Sequence, residues 1–357
     1  MATIADMIRQ LLSELEASPA RTPFHARILP DHLDHSEEAS PFNADEHYFQ
    51  LRINEMFLHD SRRWFVEYDP MVFCVTEFVY DKKMQAIPFV VGPQMLERFG
   101  QELPAGMLFT NTRVAGPHPY RGSRLISSVV LCRVKKEDYA QKLLGVVEKI
   151  GGVLDVACAL STYTKVAEGV VEGVEALLGF ADTVNPLIGW RREFDPDAGD
   201  RLEPSYFVLI DDPSNHLDIS QLWVREGSLF KGKTAPREPF RDADYLLYSI
   251  VKSSRRGDVT SLPFYPLFER AKQQASVPDE NSWIRARSDM LSLYQTLILS
   301  PDLTKPHADE LGSQYHAELK NVHRQAVKYG SVVEPPTTED ASAQQKIRES
   351  VVMFGLG

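Results

Sequence analysis

Apolar side chains recur along this chain in two rhythms. Between Glu46 and Val134 they alternate with polar residues or gather in short runs rich in Val, Phe and Thr: His47–Ile53, Trp64–Tyr68, Met71–Tyr80, Met84–Val91, Gly106–Val114 and Arg124–Val134. Period two and β-branched or aromatic composition predict strands. The breaks at Asp81-Lys82-Lys83, Gly116-Pro117 and Gly122 predict turns that fold these strands into an antiparallel meander. From Glu137 the spacing becomes helical, with Tyr139, Leu143, Val146, Val147 and Ile150, then Val170, Val171, Val174, Leu177 and Leu178. Glu137–Val184 therefore reads as two helices broken near Gly151-Gly152 and stopped by Asn185-Pro186.

Strand character returns at Tyr206–Ile210, Gln221–Arg225, Ser228–Lys231 and Tyr245–Lys252. Glu226-Gly227 between two of these runs is a two-residue hairpin signal, because glycine tolerates the positive φ that such a turn demands. Leu267–Ala275 predicts a short helix. Ser282 reads as the N-cap of a helix through Leu299, with Ile284, Met290, Leu291, Tyr294 and Leu297 on its apolar side. Pro301 and Pro306 separate it from a last helix, His307–Tyr329, with Gly330 as its stop.

The expected fold is α+β: an antiparallel β-sheet or sandwich core fed by strands from both halves, with a helical insertion and a C-terminal helical pair. The segments are an N-terminal helix and irregular arm (1–43), a β-rich first half (44–136), the helical insertion (137–188) and a β-rich second half with a short helix (189–278). A C-terminal helical segment (279–330) and a flexible tail with an apolar end (331–357) complete the chain. Strand then helix at Arg124–Ile150 is echoed at Tyr245–Ala275, and with low identity between them these read as two βα units and are no proof of duplication.

Composition narrows the function classes. With 357 residues, 43% hydrophobic and 25% charged, the chain is globular in character. A formal charge of −11 disfavours non-specific nucleic-acid binding. No apolar run approaches the roughly 18 residues of a membrane span, and acidic Asp6, Glu14 and Glu16 occupy the region where a secretory signal would be apolar. Three cysteines without close spacing, Cys74, Cys132 and Cys158, read as free thiols of a reducing cytoplasm.

One motif carries chemistry by its letters. Gly227-Ser228-Leu229-Phe230-Lys231-Gly232-Lys233-Thr234 fits G-x-x-x-x-G-K-[ST], in which backbone amides cradle phosphate, the lysine neutralises it and the hydroxyl binds Mg²⁺. A working loop of this kind follows a buried strand and opens a helix. Here Gly227 already belongs to the hairpin, and Pro236 and Pro239 fall where the helix should run, so a chance match is the expectation for Gly227, Gly232, Lys233 and Thr234. His32-x-x-His35, near His25 and the acids Asp31, Asp34, Glu37 and Glu38, has zinc-like spacing but lacks a second ligand pair. His316 and His323 share a helix face yet stand roughly 10 Å apart along the axis, too far for one ion. Asp211-Asp212 and Asp242/Asp244 read as turn caps at strand ends. No catalytic residue, metal ligand or cofactor is assigned.

The functional expectation is a non-enzymatic cytoplasmic interaction or scaffold protein, a subunit of a larger assembly whose partners are other protein subunits. The apolar Val351, Val352, Met353 and Phe354, carried on a Pro/Ser/Gln-rich tether, are the expected partner-binding segment. The alternatives are a nucleotide-binding protein using 227–234, and a membrane-active effector using the Gly/Ala/Val-rich helices of 137–184. Against the second, Asp155, Lys165, Glu168, Glu172 and Glu175 interrupt every long apolar run.

Overall fold

A computed structural model describes residues 12–13, 23–34, 40–63, 66–92, 107–135, 184–212 and 216–330. The chain divides into two compact units, Met1–Leu262 with Ser300–His307, and Pro263–Leu299 with Ala308–Gly357. The fold is α+β, with antiparallel sheets and a C-terminal helical pair. The insertion at 137–183 lies outside the described residues.

The first unit holds strands β1 (Phe24–Arg27), β2 (Tyr48–Phe57), β3 (Arg62–Arg63), β4 (Val66–Tyr80), β5 (Lys83–Val91), β6 (Met107–Pro119), β7 (Leu125–Lys135), β8 (Val184–Phe194), β9 (Ser205–Ile210), β10 (Leu222–Arg225), β11 (Ser228–Lys231), β12 (Glu238–Pro239) and β13 (Tyr245–Ser253). One sheet runs β1-β9-β13-β2-β6 and a second β3-β4-β7-β8, with β5 also paired to β4. Each sheet mixes early and late strands, so the two β-rich stretches of sequence pair with one another in the same sheets. β8 begins at Val184, which places 184–188, grouped by sequence with the insertion, in strand. β1 likewise lies inside the arm expected to be irregular.

The two larger sheets pack face to face. Phe49 meets Phe78 edge-on at 5.2 Å, and Phe194 meets Phe207 at 6.3 Å. Leu246, Tyr248 and Ile250 of β13 face this sandwich core, while Tyr245 and Leu247 point the other way. That opposite face is covered by the small sheet β10-β11-β12, through Leu222, Val224, Leu229 and Phe240. The period of two thus feeds two separate cores from one strand. Cys74 and Cys132 are free and buried, and burial pushes both thiols up in pKa.

The described part of the second unit is helical: α1 (Tyr265–Ala275), α2 (Glu280–Leu299) and all but the first turn of α3 (Lys305–Gly330). α1, grouped by sequence with the β-rich half, belongs here. Phe268 stacks on Tyr315 at 4.0 Å and Trp283 on His323 at 4.1 Å, tying the three helices together. Asp279, not Ser282, caps α2: its carboxylate accepts from the Ser282 amide at 3.0 Å, which lowers its pKa. α2 buries Ala286, Met290, Leu293 and Leu297. Ile284 and Leu291, expected on the same side as Met290 and Leu297, instead face outward, and the Tyr294 ring, 40% exposed, lies against Gly312 of α3.

Candidate functional site

The nucleotide-type signature folds as a hairpin. Glu226 and Gly227 take φ of 50° and 76°, and Trp223, Val224 and Arg225 pair with Phe230, Leu229 and Ser228. Both signature glycines have backbone duties: Gly227 supplies the positive φ, and a Cβ on Gly232 would clash with the Ala235 carbonyl. Amides that a phosphate cradle would need are already engaged. Leu229 N–H donates to Glu55 Oε2 at 2.7 Å and Gly232 N–H to the Gln221 carbonyl at 2.9 Å. Lys231 grips both oxygens of Asp242 at 2.8 Å. Lys233 and Thr234 lie in an exposed loop that leads to β12, a strand, where a nucleotide loop would open a helix.

Glu55 is the residue that sequence reasoning passed over. It stands between Asn54 and Met56 in β2 with a fully buried side chain, 0% exposed. It holds the β10–β11 hairpin through the Leu229 amide and accepts from Arg241 Nη2 at 3.2 Å. Arg241 also donates to the Tyr245 hydroxyl and to the Phe240 carbonyl, and lies over the Phe57 ring. Burial is the first cause of shift and raises the Glu55 pKa, with the Leu229 N–H and Arg241 pulling the other way. A carboxylate in step with Leu51 and Ile53, on the apolar phase of β2 and out of phase with Gln50, Arg52 and Asn54, was the available signal. The acidic pairs are structural here: Asp244 accepts from the His59 amide and Asp212 from the Leu217 amide.

A second buried polar network fixes residues 300–307 to the β unit. Arg256, with only 1% of its side chain exposed, forks onto both oxygens of Asp258 and donates to the Asp302 carbonyl at 2.8 Å. Tyr80 donates to Asp302 Oδ1 at 2.9 Å. The Tyr48 hydroxyl accepts from the Thr304 amide at 3.0 Å and meets His307 Nδ1 at 2.8 Å. Arg121 bridges Asp45 to the Pro301 and Leu303 carbonyls, and Lys305 adds a second bond to Asp45. These bonds hold the Asp45 carboxyl below its ordinary pKa. The chemistry is fixation: each charge faces a partner within hydrogen-bond reach.

The histidine candidates separate. His32 stacks on Trp223 at 3.7 Å and its Nδ1 meets the Leu222 carbonyl at 2.8 Å, while His35, Glu37 and Glu38 lie outside the described residues. His25 sits between the two large sheets, stacked on Trp190 at 4.7 Å, its Nε2 2.9 Å from the Tyr248 hydroxyl. Burial first, then the Arg192 charge, lowers its pKa to about 3, so the ring is a neutral hydrogen-bond partner at neutral pH. His316 is exposed and His323 stacks on Trp283. Among the described residues no three His, Cys, Asp or Glu side chains gather as a metal site.

The most distinctive surface is on the helical unit. Of ten exposed large apolar side chains among the described residues, eight belong to it. Five lie on α2: Ile284 at 55% exposure, Leu291 at 62%, Tyr294 at 40%, Ile298 at 51% and the terminal Leu299 at 80%. Between Asn281 and Leu299 the exposed positions carry Arg285 and Arg287 and no carboxylate. The expected partner-binding segment Val351–Phe354 lies outside the described residues. Comparison with protein-family models, curated protein sequences and solved structures yields no match to this chain.

Proposed function

We propose that this chain is a non-enzymatic interaction protein, a subunit of a larger protein assembly, whose helical unit carries the docking surface. The observation that carries the reading is the outward apolar stripe of α2. Contiguous exposed apolar surface is disfavoured in water and marks a protein–protein contact when it lies on an ordered element. The β unit supplies rigidity: its buried charges are engaged in the Glu55–Arg241 and Arg256–Asp258 pairs, which fasten a hairpin and a connecting segment to the sheets. Free, buried Cys74 and Cys132 support a reducing cytoplasmic setting. The hairpin at 227–234, with its amides engaged, speaks against the nucleotide reading. The membrane reading draws on 137–184, of which only Val184 is described; no helix among the described residues is long and apolar enough to cross a membrane.

The test is photo-crosslinking in the producing cell, with benzoylphenylalanine at Leu291 and, as a control, at exposed Ala198 of the β unit. The reading expects protein adducts at position 291 well above those at 198. Equal labelling at the two positions would refute it.

A further inference from the structure

We propose that the occupant of the α2 stripe is α2 of a second copy of this chain, laid antiparallel about a two-fold axis at Leu291. This rests on the reading of α2 as a docking surface and names its partner. Ile284, Leu291 and Ile298 are seven residues apart, and seven residues of α-helix fall about 20° short of two full turns. The three side chains therefore form a near-straight line, with steps of about 10.5 Å. The line is symmetric about its centre. An antiparallel two-fold places Ile284 against Ile298 of the second copy, Leu291 against Leu291, and Ile298 against Ile284, which is the self-complementarity an isologous contact requires.

Charge selects the antiparallel direction. Side-by-side parallel helices would bring Arg287 against Arg287, with Arg285 close by, and exposed Glu280 against Glu280, so that like charges meet at both positions. Antiparallel, Arg287 lies across from Gln295 and Tyr294 across from Ser288. The arginines then approach the carbonyl end of the opposing helix, whose last turn carries no basic residue of its own. That end bears the negative pole of the helix dipole. Long-range repulsion does not oppose the pairing either. Residues 263–299 and 308–330 contain seven acidic and seven basic side chains, so the described helices are balanced in charge within a chain of net charge −11.

The experiment uses the full chain with Cys158→Ser, since Cys74 and Cys132 are buried. Sedimentation velocity up to about 100 µM, enough to populate a complex of micromolar Kd, should show the wild-type mass doubling with concentration and L291E remaining monomeric. Under mild oxidation, an equal mixture of I284C and I298C should give a disulfide-linked dimer. I284C alone should not, because its two sulfurs would lie about 21 Å apart along the axis, far beyond disulfide reach. A wild-type monomer at every concentration overturns the pairing, and cross-linking of I284C alone overturns the antiparallel direction. A monomer whose position 291 photo-crosslinks to a different protein overturns self-pairing while leaving the interaction reading standing; no adduct at 291 ends both.

Discussion

Glu55 offers the sharpest test of how the β unit is held together. Its carboxylate serves three donors, the buried Leu229 amide at 2.7 Å, Arg241 at 3.2 Å and the Tyr245 hydroxyl. Glu55→Gln keeps the shape and one acceptor, and so loses one bond to a charged group, worth about 1.5–3 kcal/mol. Arg241, with 29% of its side chain exposed, recovers part of that from water, leaving a net cost of about 1–2 kcal/mol. Glu55→Ala removes both acceptors and strands the Leu229 N–H in the core, for about 3–5 kcal/mol. Urea denaturation followed by tryptophan fluorescence reads both. The pH dependence fixes the sign. Burial raises the folded pKa of Glu55 above its ordinary 4.5, so the folded chain binds this proton more tightly than the unfolded chain. The contribution is fully present below 4.5 and is lost as pH rises through the folded value. Glu55→Gln lacks it, so its penalty should be larger near about pH 5 than near about pH 8. A penalty that grows toward the higher pH would mean the Arg241 charge outweighs burial, and a cost under about 1 kcal/mol for Glu55→Ala would remove the hairpin anchor from the account.

Other residues give independent checks. Arg256→Met should cost about 3–5 kcal/mol by leaving Asp258 buried without its partner. Arg256→Lys should recover only part of it, since an ammonium cannot reproduce the two-pronged grip; urea midpoints compare the three. The imidazole resonances of His25, with its pKa near 3, should hold constant between about pH 5 and 8 in an NMR titration. A midpoint inside that range would place the ring in water. Gly227→Ala should lower stability by about 1 kcal/mol because φ is positive there. Lys233→Ala, in the exposed loop, should leave the melting curve unchanged.

The sequence made some of this legible and hid the rest for physical reasons. The Glu226-Gly227 turn announces itself because few residue pairs accept two successive positive φ values. β8 does not: Asn185-Pro186, Gly189 and Arg191-Arg192 break the period of two, and its pairing with β7 supplies what propensity lacks. β1, four residues inside a proline-rich stretch, is a strand only because β9 offers an edge. α2 carries two apolar stripes, and periodicity alone cannot say which one α1 and α3 cover. The buried stripe includes Ala286 and Leu293, while the stronger hydrophobes Ile284 and Leu291 face outward. Polar anchors such as Tyr48 and Tyr80 depend on contacts across more than two hundred residues of sequence, a separation that no local pattern encodes.

The most direct test of the account sets Leu291→Asp beside Leu293→Asp, two leucines of α2 that are 62% and 0% exposed. Thermal melts monitored by circular dichroism, paired with position-specific crosslinking, read stability and association together. Leu291→Asp should melt within about 2 °C of wild type and lose its protein contacts, whereas Leu293→Asp should lose the helical fold itself. If Leu291→Asp unfolds the helices as Leu293→Asp does, or keeps the wild-type contacts, the α2 stripe is not the docking surface.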